Sequence, residues 1–245
     1  MKMIILAAGE GKRLRPLTNE IPKCMVKYKG IPIIDYAIRS AKSCGITKIA
    51  VVGGFKKNVL EKHLEGENII AFENKMYRHT NMVSTLFCAR EFMDDDLIIS
   101  YSDIVYSEEI LKSLIDGTEN ISVVVDKKWR LLWDQRMSNP LDDAETLVIK
   151  DNKIIEIGKE PLNFDRIHGQ YIGLIKIKKE VINDVINFYD EIDKDQKFDR
   201  YNFDNMYMTF FLQLIIDKLM DVNPIIVGGG WIEIDTNSDL KIKMI

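Results

Sequence analysis

Residues 3–18 read MIILAAGEGKRLRPLT, and Pro22-Lys23 follow shortly after. Met3–Leu6 is a continuous apolar run without polar alternation, the pattern of a strand buried on both faces. Small residues and two glycines end it, so the chain leaves the strand into a tight loop. A strand buried on both faces needs helices over it, which predicts an α/β protein. The loop then brings three cations, Lys12, Arg13 and Arg15, with Lys23 close behind. Glycine lets backbone N–H groups approach an anion, and cations offset its charge. Gly9 and Gly11 suit the first role, and Lys12, Arg13 and Lys23 the second, as a triphosphate would require. Ala7 and Ala8 leave room for a flat base beside the strand end. The plain alternative is a glycine turn with solvated basic residues. Two familiar loops are excluded. Leu14 stands where a dinucleotide-binding fingerprint has its third glycine, and no glycine stands five residues before Gly11, as a P-loop needs.

Downstream, short apolar runs alternate with amphipathic stretches. Helices are expected over Ile33–Cys44, Lys56–Leu64, Ser107–Ile115, Lys179–Tyr189 and Phe203–Met220, with Thr80-Asn81 capping another. Strands are expected over Lys48–Val52, Asn68–Phe72, Leu97–Tyr101, Ile121–Val125, Gln170–Ile177, Ile225–Val227 and Trp231–Ile234. Leu147–Lys150 and Lys153–Ile157 read as a hairpin across Asp151-Asn152. Ser238–Lys243 reads as a terminal helix. Strand and helix alternate through the first 125 residues, the order of a mostly parallel, Rossmann-like mixed sheet flanked by helices. One domain over 1–245 is expected, with an acceptor-side insertion or lid at roughly 127–170.

Joining two anions calls for a divalent cation, and Mg²⁺ takes a few carboxylates plus phosphate oxygens. Open α/β sheets place ligands at the carboxyl ends of strands. Asp103 follows the strand Leu97–Tyr101, and Asp235 follows Trp231–Ile234. Each could equally be a turn or cap residue. Glu233 shares the strand face of Asp235 and reads as an aid to the metal or the acceptor, or as a salt-bridge partner.

The string LAAGEGKRLRPLT with its following PK closely resembles the nucleotide-binding loop of the sugar-phosphate nucleotidyltransferase superfamily. The resemblance implies a nucleotidyltransferase. It puts Leu6, Ala7, Ala8, Gly9, Gly11, Lys12, Asn81 and Ser102 on the nucleotide and Arg13 on its β/γ-phosphates. Lys23 would bridge the α-phosphate and the acceptor's phosphate. Asp103 and Asp235 match the two aspartates that hold Mg²⁺. Many members carry a second acid or a Gly-Asp at the mid-chain position, where this chain has Ser102-Asp103.

Asn81, in YRHTNMVSTL, could read a pyrimidine through its amide or simply cap the helix after it. A subgroup that uses CTP with choline phosphate, aminoethylphosphonate and similar acceptors has an Asn there. DIVY, VDKKWRLLWDQR, NPLDDAETL, DNMYMTFFLQ and WIEID narrow the resemblance to the cytidylyltransferase branch that includes the phosphoglutamine enzyme. It implies CMP transfer from CTP to L-glutamine phosphate, giving CDP-glutamine in capsule biosynthesis. Phosphocholine, 2-aminoethylphosphonate and hexose-1-phosphate transfer, and nucleotide sensing without turnover, are the rivals.

Acceptor chemistry suggests its own residues. Trp129, Trp133 and Trp231 could cage a quaternary ammonium. Arg130 or Arg136 could clamp a carboxylate, and Asp142, Asp143, Glu145 or Asp204 could take an amine, with Glu233 a further acceptor-side candidate. Tyr171 completes the acceptor-side candidates. The competing reading packs Trp129 and Trp133 on one helix face with Arg130 paired to Asp134.

Charged residues make up 29 % of the chain and its formal charge is −4, which speaks against a whole-surface nucleic-acid binder and leaves a local basic patch open. No stretch approaches the roughly 20 apolar residues of a membrane span. The three scattered cysteines, Cys24, Cys44 and Cys88, read as reduced thiols. A cytoplasmic protein with soluble partners is expected. The oligomeric state is left open, a homodimer included.

Overall fold

The computed structural model describes residues 1–195 and 202–244. Its strands are β1 (Lys2–Ala7), β2 (Lys27–Tyr28), β3 (Ile31–Pro32), β4 (Lys48–Gly53), β5 (Ile69–Glu73), β6 (Leu97–Tyr101) and β7 (Ile104–Tyr106). They continue with β8 (Ile121–Asp126), β9 (Leu147–Lys150), β10 (Lys153–Ile157), β11 (Gln170–Ile177), β12 (Asn223–Val227) and β13 (Trp231–Glu233). The α-helices are α1 (Ile33–Ser43), α2 (Lys57–Leu64), α3 (Met82–Phe87), α4 (Glu108–Asp116), α5 (Trp129–Arg136), α6 (Lys179–Glu191) and α7 (Met208–Lys218).

Seven strands form the central sheet in the order β12-β8-β11-β6-β1-β4-β5. Neighbours run parallel except where β11 pairs antiparallel with β6 and β8. The expected mostly parallel mixed sheet is what forms. Alternation along β1 feeds two cores. Met3, Ile5 and Ala7 join Ile34, Ile38, Leu60 and Leu111 under α1, α2 and α4. Ile4 and Leu6 join Val83, Leu86, Val185 and Phe211 under α3, α6 and α7.

Several boundaries move. α7 starts at Met208 rather than Phe203, and the terminal helix contracts to one 3-10 turn, Asp239–Lys241. Helix α3 stops at Phe87 and resumes as a 3-10 turn over Arg90–Phe92. Residues 127–170 hold α5 and the β9–β10 hairpin. The hairpin packs onto α7 through Ile154 and Ile157, in the core that also takes Phe211 and Leu212.

Candidate active site

The loop after β1 begins one wall of a cleft of about 500 Å³. Gly11 adopts φ +62°, and a Cβ there would stand 2.9 Å from Lys23 Cβ. Only glycine lets Lys23 pass so closely under the loop. A Cβ on Gly9 would meet nothing within 4 Å, so that backbone faces open cleft. Thr18 Oγ1 donates to Gly11 O at 2.7 Å and closes the loop on itself.

Two strand ends bring the acids together. Asp103 follows β6, the parallel neighbour of β1. Just beyond it, β7 pairs antiparallel with β13, with Ile104 opposite Glu233. Ile234 N–H donates to Asp103 O at 2.8 Å. This small ribbon carries Asp235 from the far end of the sequence to Asp103. Ligand atoms of Asp103, Glu233 and Asp235 lie within 4.8 Å of one another.

Lys23 Nζ stands between them, 2.7 Å from Asp103 Oδ2 and 2.6 Å from Asp235 Oδ1. Arg13 also pairs with Asp235. Burial opposes the charge on Lys23, but the three acids outweigh it and hold the ammonium above its ordinary value. Burial likewise opposes the charge on Asp235, yet Lys23 and Arg13 keep its carboxyl below the usual range. Burial pushes Glu233 up to about 7 against the pull of Arg136, with Asp103 and Asp235 adding to the push. Asp103 Oδ1 is buried without a hydrogen-bond partner. An orphaned carboxylate oxygen beside two further acids is a hard, oxygen-rich donor set. The residues present therefore fit a divalent cation.

Most of the expected nucleotide residues line this cleft: Leu6, Ala8, Gly9, Gly11, Lys12, Arg13, Asn81 and Ser102. Ala7 does not. Strand alternation turns its side chain into the core, where it is 2 % exposed. Asn81 caps α3, its Oδ1 accepting from Met82 N–H at 2.9 Å. It lines the cleft as well, so both readings of this residue have a structural basis.

The acceptor-side candidates scatter. Trp129, Trp133 and Trp231 are at most 5 % exposed and pack together in the core, so these three form no cage at the cleft. Trp231 Nε1 donates to buried Asp126 at 2.9 Å. Arg130 lies over Phe164 and 4.0 Å from Asp134, the surface alternative. Arg136 is buried and bonds Glu233 at 2.8 Å and Asp239 at 3.2 Å. It braces the acids and offers no free clamp for a carboxylate. Asp204 contributes its backbone oxygen, which accepts from Asn81 N–H at 3.0 Å. Tyr171 packs edge to face on Tyr101, which lines the cleft, while neither Tyr171 nor Glu145 is among its lining residues.

Sequence reasoning missed Glu10, Tyr77, Arg78 and Tyr207, which also line it. Glu10 gathers Arg78 at 3.3 Å, Lys12 at 3.5 Å and Arg15 at 3.7 Å. The E in GEGKR lies inside the quoted loop and was visible. Arg78 carries no local signal, because the fold alone brings it there.

The family model described as MobA-like NTP transferase domain matches residues 3–158. A CTP:phosphoglutamine cytidylyltransferase from Campylobacter jejuni subsp. jejuni serotype O:2 is 48 % identical over 251 aligned residues, covering 100 % of this chain and 99 % of that protein. A choline-phosphate cytidylyltransferase from Streptococcus pneumoniae is 30 % identical over 48 % of this chain and 52 % of its own length. Among solved structures, the inositol-1-phosphate CTP transferase from T. maritima superposes with a TM-score of 0.77, covering 97 % of this chain and 90 % of its own, at 24 % identity. That last likeness speaks for the fold.

Proposed function

The chain belongs to the family of MobA-like NTP transferase domains and is a cytidylyltransferase, and we propose that it moves CMP from CTP onto phosphoglutamine with release of pyrophosphate. One observation carries the chemistry: Lys23 Nζ, gripped under the glycine loop, reaches both Asp103 and Asp235. The full-length identity to the Campylobacter enzyme supports the acceptor.

The reaction is an in-line displacement. An oxygen of the acceptor's phosphate attacks the α-phosphorus of CTP, and pyrophosphate leaves. A phosphate anion is already a nucleophile, so no general base is needed. Asp103, Glu233 and Asp235 are the residues that would hold a divalent cation, Mg²⁺ on the preference of small hard ions for carboxylates and phosphates. Such an ion, when bound, offsets phosphate charge. The protein's own part is position and charge. The loop amides around Gly9 and Gly11 face the phosphates, with Arg13 and Lys12 at their outer end. Lys23 lies where the α-phosphate and the acceptor phosphate meet. Asn81 faces the base.

No helix among the described residues is long and apolar enough to cross a membrane. The three unpaired cysteines support the cytoplasm as its place of work.

The test is pyrophosphate release from CTP, UTP, GTP and dTTP with phosphoglutamine, glucose-1-phosphate or no acceptor, with product mass read in parallel. A CDP-linked product from CTP and phosphoglutamine is expected. A sugar nucleotide from UTP or dTTP instead would move the chain to the hexose-1-phosphate branch. Nucleotide binding without any product would make it a sensor.

A further inference from the structure

Beyond Tyr101 lies a carboxylate that the transfer step does not use. Glu145 sits in the segment leading into β9, and Gln170 grips its backbone twice. Glu145 N–H donates to Gln170 Oε1 at 3.1 Å, and Gln170 Nε2 donates to Glu145 O at 2.6 Å. The carboxylate itself accepts one hydrogen bond, from Thr209 Oγ1 at 3.3 Å. Among the described residues it forms no ion pair. Burial, aided by Asp143 and opposed by Thr209, pushes its carboxyl up to about 7. A buried acid without a cation costs stability. A glutamine would keep the Thr209 contact without that cost, so packing does not explain the acid.

A second group points the same way. Tyr171 Oη is buried, and with Tyr101 as its polar neighbour it makes no hydrogen bond of ordinary geometry. The rings of Tyr101 and Tyr171 meet edge to face at 5.7 Å. Both phenols lie within the electrostatic reach of Glu145 and of Asp103. Strand β11 is irregular here, its register shifting between Tyr171 and Ile175. Gly173, at φ +89°, lies so close to the Tyr101 ring that a Cβ would come within 2.7 Å. Such irregularities re-aim side chains beside active sites. Glu145 and Tyr171 are each half-buried, and Tyr101, on which Tyr171 packs, lines the cleft.

We propose that Glu145 and Tyr171 form the ammonium subsite of the acceptor and select acceptors that carry a primary ammonium group. The inference rests on the transferase reading above and names the recognition feature of that site. A primary ammonium brings one positive charge and three donors, enough for the carboxylate and the phenol oxygen. A quaternary ammonium brings the charge but no donor, and a sugar phosphate brings hydroxyl donors but no positive charge. Glu145 is a specificity residue in this account and takes no part in bond making.

Steady-state kinetics with CTP and three acceptors, phosphoglutamine, phosphocholine and inositol-1-phosphate, test it on wild type, Glu145→Gln and Tyr171→Phe. Glu145→Gln is expected to raise the KM for phosphoglutamine by at least about 20-fold, the loss of a charge-assisted contact. Tyr171→Phe raises it less, by about 5-fold. The KM for CTP stays within twofold in both, and wild type prefers phosphoglutamine to phosphocholine. An unchanged phosphoglutamine KM in Glu145→Gln, or equal use of phosphocholine by wild type, overturns the subsite. Failure of wild type to transfer CMP to any of the three overturns the transferase reading instead. Should Tyr171→Phe fold poorly, Glu145→Gln still decides.

Discussion

At the scale of single residues, charge placed in a poorly solvated setting is what the molecule spends stability on. Glu145 is the clearest case. An acid whose folded-state value is raised binds more protons folded than unfolded between the two values. Its cost is therefore absent below about pH 4.5 and fully present above about pH 7. Glu145→Gln removes that cost. Chemical denaturation of the free protein should show the variant more stable than wild type at pH 8, on the order of 2 kcal/mol, and no different near pH 4. A variant less stable at pH 8 would mean the carboxylate is compensated in a way the contacts do not reveal. Higher stability together with a lost acceptor is the signature of a residue kept for function.

At the scale of elements, α5 and the β7–β13 ribbon hold the acids in place. Arg136, at the end of α5, bonds Glu233 and Asp239. Asp239 Oδ2 in turn accepts from the backbone N–H of Asp235 and Thr236, at 2.9 and 2.7 Å. Helix α5 is thereby tied to the segment that carries two of the three clustered acids. Removing one partner from a buried ion-pair network leaves unpaired charge, at about 3–5 kcal/mol. Arg136→Met should lower the melting temperature by several degrees and weaken Mn²⁺ binding, read by electron paramagnetic resonance. A variant with wild-type melting and metal affinity would break this link. The WRLLWDQR segment left two readings open, a binding surface and a packed helix face. Residues four apart share a helix face, and that face is core.

At the scale of the whole molecule, the sheet was legible because its strands are nearly all-apolar runs bounded by glycines, acids or turn residues, and a strand buried on both faces admits few other readings. Leu97–Tyr101, Gln170–Ile177 and the β9–β10 hairpin come out at the expected residues. The loop residues Gly9 to Lys23 were legible for the same local reason: glycines and cations follow a strand end. What could not be read is convergence. Three-residue β7 carries too little pattern to announce itself, yet its pairing with β13 is what sets Glu233 and Asp235 beside Asp103. Arg78 and Tyr207 reach the cleft by the same long-range folding, though each lies in a stretch that was quoted without singling it out. The Glu145 side chain was a candidate on charge alone, and its unpaired burial emerges only from the packing around it.

The central claim is that Lys23, held under the glycine loop against Asp103 and Asp235, is part of a nucleotidyl-transfer centre. Pyrophosphate release from CTP and phosphoglutamine, measured for wild type and Lys23→Ala at matched circular dichroism, tests it most directly. The account predicts steady release by wild type and a loss of about 10²–10³ in kcat for the variant, the scale of removing one charge-stabilising group. Release by a folded Lys23→Ala protein at the wild-type rate would contradict it.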